Sequence, residues 1–307
     1  MKKLSFRFGV AMLLLAVQAA VGGICPPIDW SRAQKVQRGI LLVKMKLARP
    51  RLMKVAVMRV DLRTPGLTLT TTGRDKDWGK VMPDRPGVRI ATKRITSANF
   101  MKNARSPHGG KRGINMIAVF NAAPWTPWEP PFDHKYGMPL GLNISGGVVV
   151  SDNHPELPAL IEWKNGGIEL LPAVDRKLIP KIKEAASGFC FILHHGKVLP
   201  NDGYSVGLHP RLGCGLSADR RYLFVVAVDG RQKGWSIGAT GAETAEILLA
   251  AGAFDGINFD GGGSTSLLYW DATKRKPVAA NRHTSGGYMR PVGSNVGIVL
   301  RSESRPE

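Results

Sequence analysis

Acidic, amide and guanidinium side chains stand close together at two places in the sequence, in a pattern suited to an anionic ligand. Asp229-Gly230-Arg231 is the first, and Asn258-Phe259-Asp260 followed by Gly261-Gly262-Gly263 is the second. Consecutive glycines allow positive φ and the close approach of a ligand, and their N–H groups can form an anion-binding nest. A plain tight turn between two strands would use the same glycines, but the neighbouring acidic and amide groups favour a site.

Two strands and a helix are predicted to position these segments. Apolar, β-branched runs favour strands at Tyr222–Val228 and at residues 256–259. Between them, Gly241–Ala251 is predicted to be a helix that ends at Gly252, because its apolar residues repeat on one face. The charged segments therefore stand where strands end and the chain turns.

Side chains two residues apart on a strand share a face, so Asp229 is expected beside Arg231, and Asn258 beside Asp260. The stretch 74–112, rich in Lys, Arg and Gly, is expected to form a helix and loops around the strands. Further strands are predicted at residues 54–62, 67–72, 116–120, 147–150, 189–193 and 295–300.

Composition bounds the fold. The chain has 307 residues, of which 43% are hydrophobic and 21% charged, so it can bury a core and is neither disordered nor a disulfide miniprotein. Its 36 glycines and 21 prolines indicate many turns and argue against a helical bundle. We expect a turn-rich α+β or mostly β body, and a single domain because no repeat or low-complexity linker interrupts the chain.

The charge and the N-terminus together indicate export. Lys2, Lys3 and Arg7 precede an apolar run over residues 10–17 and then small residues, the order of a secretory signal, so residues 1–22 are predicted to be a signal peptide. The run is too short for a stable membrane span. The net charge is +20, which favours an anionic partner. Export to a periplasmic or extracellular location disfavours nucleic acid and favours an anionic glycan.

Three cysteines are too few for a disulfide scaffold but could form one bridge in an oxidising compartment. The preferred pair is Cys190 with Cys214, and three unpaired cysteines, including Cys25, are an equally open alternative. The spacing fits neither a CxxC pair nor a closed zinc site.

The segment from Asn258 to Ser264 resembles the signature of the phosphodiester glycosidase family. The resemblance extends in order along residues 116–300. Its other parts are Asn121, His209-Pro210-Arg211, Asp229-Gly230-Arg231, Glu243, and Arg290-Pro291-Val292 with Asn295. The sequence departs from the family after Asn121, where Ala122 and Ala123 replace two glycines.

The resemblance implies hydrolysis of a glycosyl phosphodiester, which releases a sugar and leaves a phosphomonoester. It also implies one domain over residues 23–307, with an α+β fold of mixed β-sheets flanked by helices. Breaking the bond from the anomeric carbon to phosphate builds positive charge on the sugar, so a carboxylate is needed nearby. Arginines suit the phosphate, because a planar guanidinium donates two parallel hydrogen bonds to an oxyanion.

The resemblance also nominates site residues. The catalytic candidates are Asp260, Glu243 and Asp229. The substrate-binding candidates are Asn121, His209, Arg211, Arg231, Asn258, Gly261, Gly262, Gly263, Ser264 and Arg290. Glu243 falls off the apolar stripe of its helix, so periodicity alone would place it in solvent.

The sequence leaves open whether the protein binds a metal ion and what its tryptophans do. No cofactor is required, although Asp229, Asn258 and Asp260 supply oxygen ligands that suit Ca²⁺ or Mg²⁺. Trp125 and Trp128 could form a sugar-stacking platform or anchor the core.

His194 and His195 are not expected to share a metal, because adjacent strand residues point to opposite faces. Gly234-Trp235-Ser236-Ile237-Gly238 fits the G-x-S-x-G pattern of a serine esterase, but Ser236 stands eight residues past the preceding strand. A non-catalytic protein that binds an anionic glycan during envelope or exopolysaccharide assembly is the other alternative.

Overall fold

Antiparallel β-strands make up most of the computed structural model, which describes residues 23–107, 113–130, 133–284 and 287–301. The predicted signal peptide, residues 1–22, lies outside these ranges. In chain order the strands are β1 (Gln34–Gln37), β2 (Ile40–Leu47), β3 (Met53–Asp61), β4 (Leu67–Thr71), β5 (Val81–Met82), β6 (Arg85–Arg89), β7 (Thr92–Lys93), β8 (Met116–Asn121), β9 (Trp125–Thr126), β10 (Tyr136–Pro139), β11 (Leu142–Ser145), β12 (Val148–Asp152), β13 (Ala159–Trp163), β14 (Ile168–Leu171), β15 (Ile182–Ser187), β16 (Cys190–His194), β17 (Lys197–Val198), β18 (Arg211–Leu216), β19 (Tyr222–Val228), β20 (Asp255–Asn258), β21 (Leu267–Asp271), β22 (Lys276–Ala279) and β23 (Asn295–Leu300).

Few helices accompany the strands. The α-helices of the described residues are α1 (Ser97–Arg105) and α2 (Gly241–Ala251), and short 3₁₀ turns occupy Trp30–Arg32, Arg176–Lys181, Gly203–Ser205 and Gly262–Ser264. None of the helices in this part of the chain is long and apolar enough to cross a membrane.

Two sheets pack face to face to form the main core. One has eight strands in the order β1-β2-β3-β19-β18-β20-β16-β17, and the other has five in the order β22-β21-β8-β23-β4. Alternate residues of both sheets meet in one buried cluster, for example Met58 and Ile257 from the first sheet with Phe120 and Ile298 from the second. A further five-stranded sheet, β12-β11-β15-β13-β14, adds Leu160 and others to the cluster.

The two α-helices cover the outer faces of this sandwich. Helix α2 packs Ile247 and Leu248 against the eight-stranded sheet, and α1 packs Met101 against the second sheet beside Met116. Ala245 and Thr244 of α2 are also fully buried. The resulting layers are helix, sheet, sheet and helix.

Several strand ends meet at one end of the sandwich. β19 ends at Val228 opposite Arg211, where β18 begins, and β20 ends at Asn258 beside β18. In the second sheet β8 ends at Asn121, opposite Asn295 at the start of β23. Side chains from both sheets can therefore converge there, in the loops that continue these strands.

The structure confirms the expected mostly β body and corrects the α+β fold of mixed sheets that the resemblance implied. All strand pairs among the described residues are antiparallel and only two α-helices accompany them, so the fold is mostly β and its sheets are not mixed. The predicted strands are confirmed within one or two residues, and Gly241–Ala251 and its C-terminal Gly252, with φ 104°, are confirmed as predicted. The stretch 74–112 contains α1 but also β5, β6 and β7.

The preferred Cys190–Cys214 disulfide is contradicted. Cys190 pairs with Asn258 and Cys214 with Ile257, on opposite sides of β20, so the cysteines are two strands apart. Since neighbouring residues of β20 face opposite ways, Cys190 and Cys214 also lie on opposite faces of the sheet. All three cysteines are free thiols.

Candidate active site

The glycine segment carries the chain from one large sheet to the other. β20 belongs to the eight-stranded sheet and β21 to the five-stranded one, so residues 259–266 cross the open end of the sandwich. Asn121, fully buried, holds both ends of this crossing: its Nδ2 donates to the Asp260 carbonyl at 2.7 Å and its Oδ1 accepts from the Ser266 N–H at 2.9 Å. Asn121 was predicted to bind substrate, and the structure places it beneath the turn.

Each of the three glycines is required by a close neighbour. The Gly262 N–H donates to the Pro210 carbonyl at 2.8 Å, and a Cβ on Gly261 would lie 2.6 Å from that carbonyl oxygen. Gly262 has φ 58°, a left-handed conformation that disfavours other residues. A Cβ on Gly263 would lie 2.5 Å from Arg290 Nη2. The turn is therefore pressed between a backbone carbonyl and an arginine.

Two guanidinium groups lie over this turn. Arg290 is against Gly263, and the Arg231 Nη1 would be 3.2 Å from a Cβ on Gly262. Arg231 has φ 57°, an uncommon conformation for a non-glycine residue and one often found at functional sites. Across the described ranges, neither arginine forms an ion pair with a carboxylate. Two neighbouring cations, of which Arg290 also interacts electrostatically with the Asp260 carboxyl, make an anion-binding position.

Neutral His209 supports one of these cations. Its Nδ1 lies 3.1 Å from Arg231 Nη2, and burial together with Arg231 lowers the pKa of His209 below its usual value. The imidazole therefore accepts from Arg231 and adds no positive charge of its own.

Asp260 is the carboxyl group of the same cleft. Burial raises its pKa to about 6, against the opposing effects of the Ser264 hydroxyl and the Arg290 guanidinium. Its Oδ2, the Ser264 Oγ and the Trp125 Nε1 are shielded from solvent, and among the described residues none of the three has a hydrogen-bond partner. A shielded carboxyl with a raised pKa in a cleft is characteristic of a reactive group.

The cleft has a volume of about 430 Å³ and two aromatic walls. Trp125 is 3% exposed and its ring contacts Trp128 edge to face at 5.4 Å, while Trp128 is 53% exposed. Trp125 is therefore buried, as a core anchor would be, and Trp128 faces the cleft, where sugar stacking stays a prediction. The other wall is Phe189 and Tyr204, which the sequence analysis did not single out. The full lining is Pro124, Trp125, Trp128, Leu140, Phe189, Gly203, Tyr204, Val206, His209, Arg211, Arg231, Asp260, Gly261, Gly262, Gly263 and Arg290.

Arg211 borders the cleft, but its guanidinium is occupied by protein. It is 3% exposed and donates to the carbonyls of Tyr204, Ser205, Val206 and Gly207, and to that of Ala239. Five such bonds leave Arg211 as the support of the loop over residues 203–207. The prediction that it binds phosphate is not supported by these contacts.

Asp229 lies in a different cavity from Asp260. Its Oδ2 accepts from Trp235 Nε1 at 2.7 Å and its Oδ1 from the Arg282 N–H at 2.9 Å, and burial raises its pKa. This cavity, of about 540 Å³, shares no lining residue with the cleft. The expectation that Asp229 sits beside Arg231 fails because β19 ends at Val228 and Arg231 then turns left-handed.

Glu243 and Ser236 also have structural contacts in place of the predicted chemistry. Glu243 closes the capping box of α2, where it accepts from the Thr240 N–H at 2.8 Å, and it forms an ion pair with Arg51. Ser236 is fully buried, donates to the Asp229 carbonyl and accepts from the Lys54 N–H. Ser236 is therefore buried and has no partner among the described histidines, which contradicts the esterase alternative.

The three oxygen ligands considered for Ca²⁺ or Mg²⁺ do not meet. Asn258 pairs with Gly213, whose missing Cβ would contact Thr244, so the Asn258 side chain faces α2 and not the cleft. Its amide atoms have no hydrogen-bond partner within the described part of the chain. With Asp229 in another cavity, Asp260 is the only one of the three in the cleft.

The two histidines behave differently from the prediction. His195 has φ 49°, so its ring turns to the same side as His194, and the rings stack with centroids 3.9 Å apart. Asp255 accepts from the His195 N–H at 2.9 Å and lies 3.0 Å from His194 Nδ1. Over the ranges that the structure describes, these three residues are the cluster with spacing suited to a metal ion, and they lie outside the cleft.

The β-sandwich thus carries, at one end, a shielded carboxyl and two guanidinium groups over a glycine turn, an arrangement suited to an anion. The family model described as phosphodiester glycosidase matches residues 129–299, more than half of the chain. The chain belongs to the phosphodiester glycosidase family.

Solved structures share the fold at low sequence identity. The catalytic domain of zebrafish N-acetylglucosamine-1-phosphodiester alpha-N-acetylglucosaminidase, auto-inhibited by its pro-peptide, superposes with a TM-score of 0.59 at 14% identity, covering 90% of this chain and 87% of that one. A hypothetical protein from Synechocystis superposes with a TM-score of 0.58 at 12% sequence identity, and the match covers 86% of this chain but 63% of that one. A Burkholderia pseudomallei K96243 protein described as exported gives 0.52 at 13%, covering 80% and 74%. No curated protein sequence matches this chain.

Proposed function

We propose that this protein hydrolyses glycosyl phosphodiesters, with Asp260 as the catalytic carboxylate and Arg231 and Arg290 as the phosphate-binding pair. One observation carries the proposal: a shielded carboxyl and two guanidiniums converge on a glycine turn in one cleft. Family membership supports the same reaction.

The two arginines neutralise the phosphate, which makes the phosphomonoester a better leaving group. The bond between the anomeric carbon and the phosphate oxygen breaks, and its electron pair leaves with the phosphate. The Asp260 carboxylate stabilises the developing positive charge on the sugar and accepts a proton from the attacking water. Water adds its oxygen to the anomeric carbon, so the products are a free sugar and a phosphomonoester.

Asp260→Asn tests this assignment, because it keeps the volume and removes the charge. With N-acetylglucosamine 1-phosphate methyl diester and related sugar diesters as substrates, we expect kcat to fall by about 10²-fold or more. Asp219→Asn is the matched control: Asp219 is an exposed acid in the turn between β18 and β19, and its variant should keep wild-type turnover. A folded Asp260→Asn enzyme with full activity would refute the assignment.

The pH profile gives an independent test. Since the carboxylate form acts and the pKa of Asp260 is raised to about 6, kcat/KM should rise with pH through about 6 and level off above 7. A rate that falls over this range would show instead that the protonated acid acts.

Binding without turnover is the second candidate function, favoured by the net charge of +20. The same experiment separates the two, because a binding protein would retain affinity for sugar phosphodiesters and release no phosphomonoester from any of them.

We further propose that the protein is exported and acts on an envelope or extracellular glycan. The charged and then apolar N-terminus supports export, as does the fold shared with a protein described as exported. Mass spectrometry of the native protein should show a start between Ala20 and Cys25. An intact Met1 form in the cytoplasm would reject export.

A further inference from the structure

Tyr204 is a large aromatic side chain held in solvent at the edge of the cleft. It is 66% exposed, and its ring stacks on Phe189 with centroids 4.3 Å apart and 23° between the planes. Both rings line the cleft. One face of Tyr204 is thus covered by Phe189, and the opposite face is open to a ligand.

A buried arginine fixes the loop that carries this ring. Arg211 donates to the Tyr204 carbonyl at 2.6 Å, and its Nη2 donates to the next three carbonyls at 3.0, 2.7 and 2.8 Å. A rigid, preorganised ring lowers the entropy cost of binding a ligand.

Contacts across the cleft give the order of its parts. Trp125 and Trp128, whose rings are in contact, line the cleft together with Asp260 and the glycine turn that follows it. The Arg290 guanidinium lies 4.9 Å from the Trp128 ring and rests on Gly263. In the proposed reaction, this half of the cleft would hold the sugar that is released.

The opposite half continues from the phosphate position to Tyr204. Arg231 rests on Gly262 and contacts His209 at 3.1 Å. His209 Nε2 in turn would lie 3.1 Å from a Cβ on Gly207, in the loop that bears Tyr204. A phosphate bound by the two arginines would lie between the Trp125–Trp128 wall and the Phe189–Tyr204 wall, with Tyr204 on the side of its second ester group.

We infer that Tyr204 and Phe189 form a shelf that determines specificity by stacking against a ring on the second ester of the phosphate. The inference rests on the proposed function and extends it to the leaving group. A pyranose or an aromatic ring offers the flat apolar face that this shelf would stack against.

Three diesters of N-acetylglucosamine 1-phosphate test the shelf: the methyl, the phenyl and the glucos-6-yl esters. For Tyr204→Ala we expect kcat/KM to fall by about tenfold on the ring esters and to stay within about twofold on the methyl ester. Tyr204→Phe should restore most of the loss. Trp78→Ala removes an exposed aromatic outside the cleft and should change none of the three rates.

The losses in kcat/KM on the phenyl and glucos-6-yl esters show which kind of ring Tyr204 binds. A Tyr204-dependent loss on either ester supports the shelf. Equal losses on all three esters, or no loss on any, would overturn it.

Titration calorimetry of the same esters with Asp260→Asn, alone and combined with Tyr204→Ala, separates the shelf from the chemistry. Tyr204-dependent binding of ring esters without wild-type turnover would keep the shelf and refute hydrolysis. Binding that is independent of Tyr204, or absent with the ring esters, would overturn the shelf.

Discussion

At the scale of single residues, the site depends on side chains that approach a backbone closely. Gly262 and Gly263 lack Cβ atoms at the points where Arg231 and Arg290 rest. The missing Cβ atoms leave room for both guanidinium groups, so the anion-binding position depends on these two glycines.

Gly263→Ala should displace Arg290 without unfolding the protein. Gly263 does not have a positive φ, and the clashing atoms are the end of a flexible side chain, so the backbone carries little strain. Loss of a charge-assisted contact costs about 1.5–3 kcal/mol, so kcat/KM for phosphodiesters should fall by roughly 10- to 100-fold. Gly87→Ala is the control, because nothing lies within 4 Å of a Cβ there. Unchanged kinetics in Gly263→Ala would exclude Arg290 from phosphate binding.

The sequence identified most of these residues but not their roles. Asp260, Arg231, Arg290 and the glycines do meet in one cleft, as the family motifs imply. Spacing alone failed for Asp229, because the rule that alternate residues share a face stops where β19 ends. The sequence does show an aromatic residue, Tyr204, in a short segment bounded by Gly203 and Gly207. Only the fold shows that this loop lies beside Phe189.

At the scale of elements, Glu243 shows how a helix start can resemble a catalytic motif. An acid three residues after Thr240 closes the capping box of α2 and faces Arg51. Both contacts lie outside the cleft.

Glu243→Ala should therefore lower stability and spare the chemistry. Loss of the box and of a partly exposed ion pair is expected to cost about 1–2 kcal/mol of unfolding free energy. Circular dichroism melts measure this cost, and kcat/KM of the folded enzyme should stay within about threefold of wild type. A loss of kcat by 10²-fold at unchanged melting temperature would restore Glu243 as a catalytic acid.

Two buried carboxyl groups join edge strand β4 to the third sheet. Glu162 on β13 and Glu184 on β15 are direct partners across their strands, and they accept from the Leu69 and Thr71 N–H groups of β4. These backbone N–H groups at the free edge of β4 are thereby hydrogen-bonded to side chains instead of to another strand. Lys183 pairs with Glu162 at 2.9 Å, and burial raises the pKa of Glu184 to about 7 against the opposing effects of Thr71 and Lys183.

The seam formed by Glu162 and Glu184 against β4 predicts that the protein loses stability as the pH rises. The folded pKa of Glu184, about 7, exceeds its ordinary value of 4.5, so the folded state holds the proton more tightly. Its contribution is therefore complete below about pH 4.5 and is lost as pH rises through 7, by about 3 kcal/mol.

Denaturant unfolding of wild type and Glu184→Gln between pH 5 and 8 measures the effect. Asp260 and Asp229 are present in both proteins, so they cancel in the difference. The difference in unfolding free energy should narrow or change sign toward high pH, and a constant difference would contradict the seam.

At the scale of the whole molecule, local patterns predicted the central strands better than their arrangement. Tyr222–Val228 and Asn295–Leu300 are buried, β-branched runs, and their bounds were read directly. Short strands such as β13 to β15 carry charged residues at buried positions, among them Glu162 and Glu184, which hid their strand pattern. Sheet order and antiparallel pairing depend on contacts distant in sequence, which periodicity does not report.

The net charge of +20 makes a prediction that belongs to the molecule and not to the cleft. Removal of Lys2, Lys3 and Arg7 with the signal peptide would lower it only to +17, so the exported form would stay strongly basic. Exposed charges act over about 8 Å at physiological ionic strength, and salt shortens this range. A polymer with many phosphates would span many such charges, whereas the phosphate of a single small diester would meet the charges of the cleft alone.

Affinity for a phosphoglycan polymer should therefore fall more steeply with added salt than kcat/KM for a small diester. Inhibition of small-diester hydrolysis by the polymer, measured from 25 to about 300 mM NaCl, gives the polymer affinity, and the small diester alone supplies the control slope. Both ligands would contact the cleft arginines. A steeper salt dependence for the polymer than for the small diester therefore measures the contribution of the basic surface outside the cleft. Equal slopes for polymer and small diester would show that the basic surface takes no part in recognising the glycan.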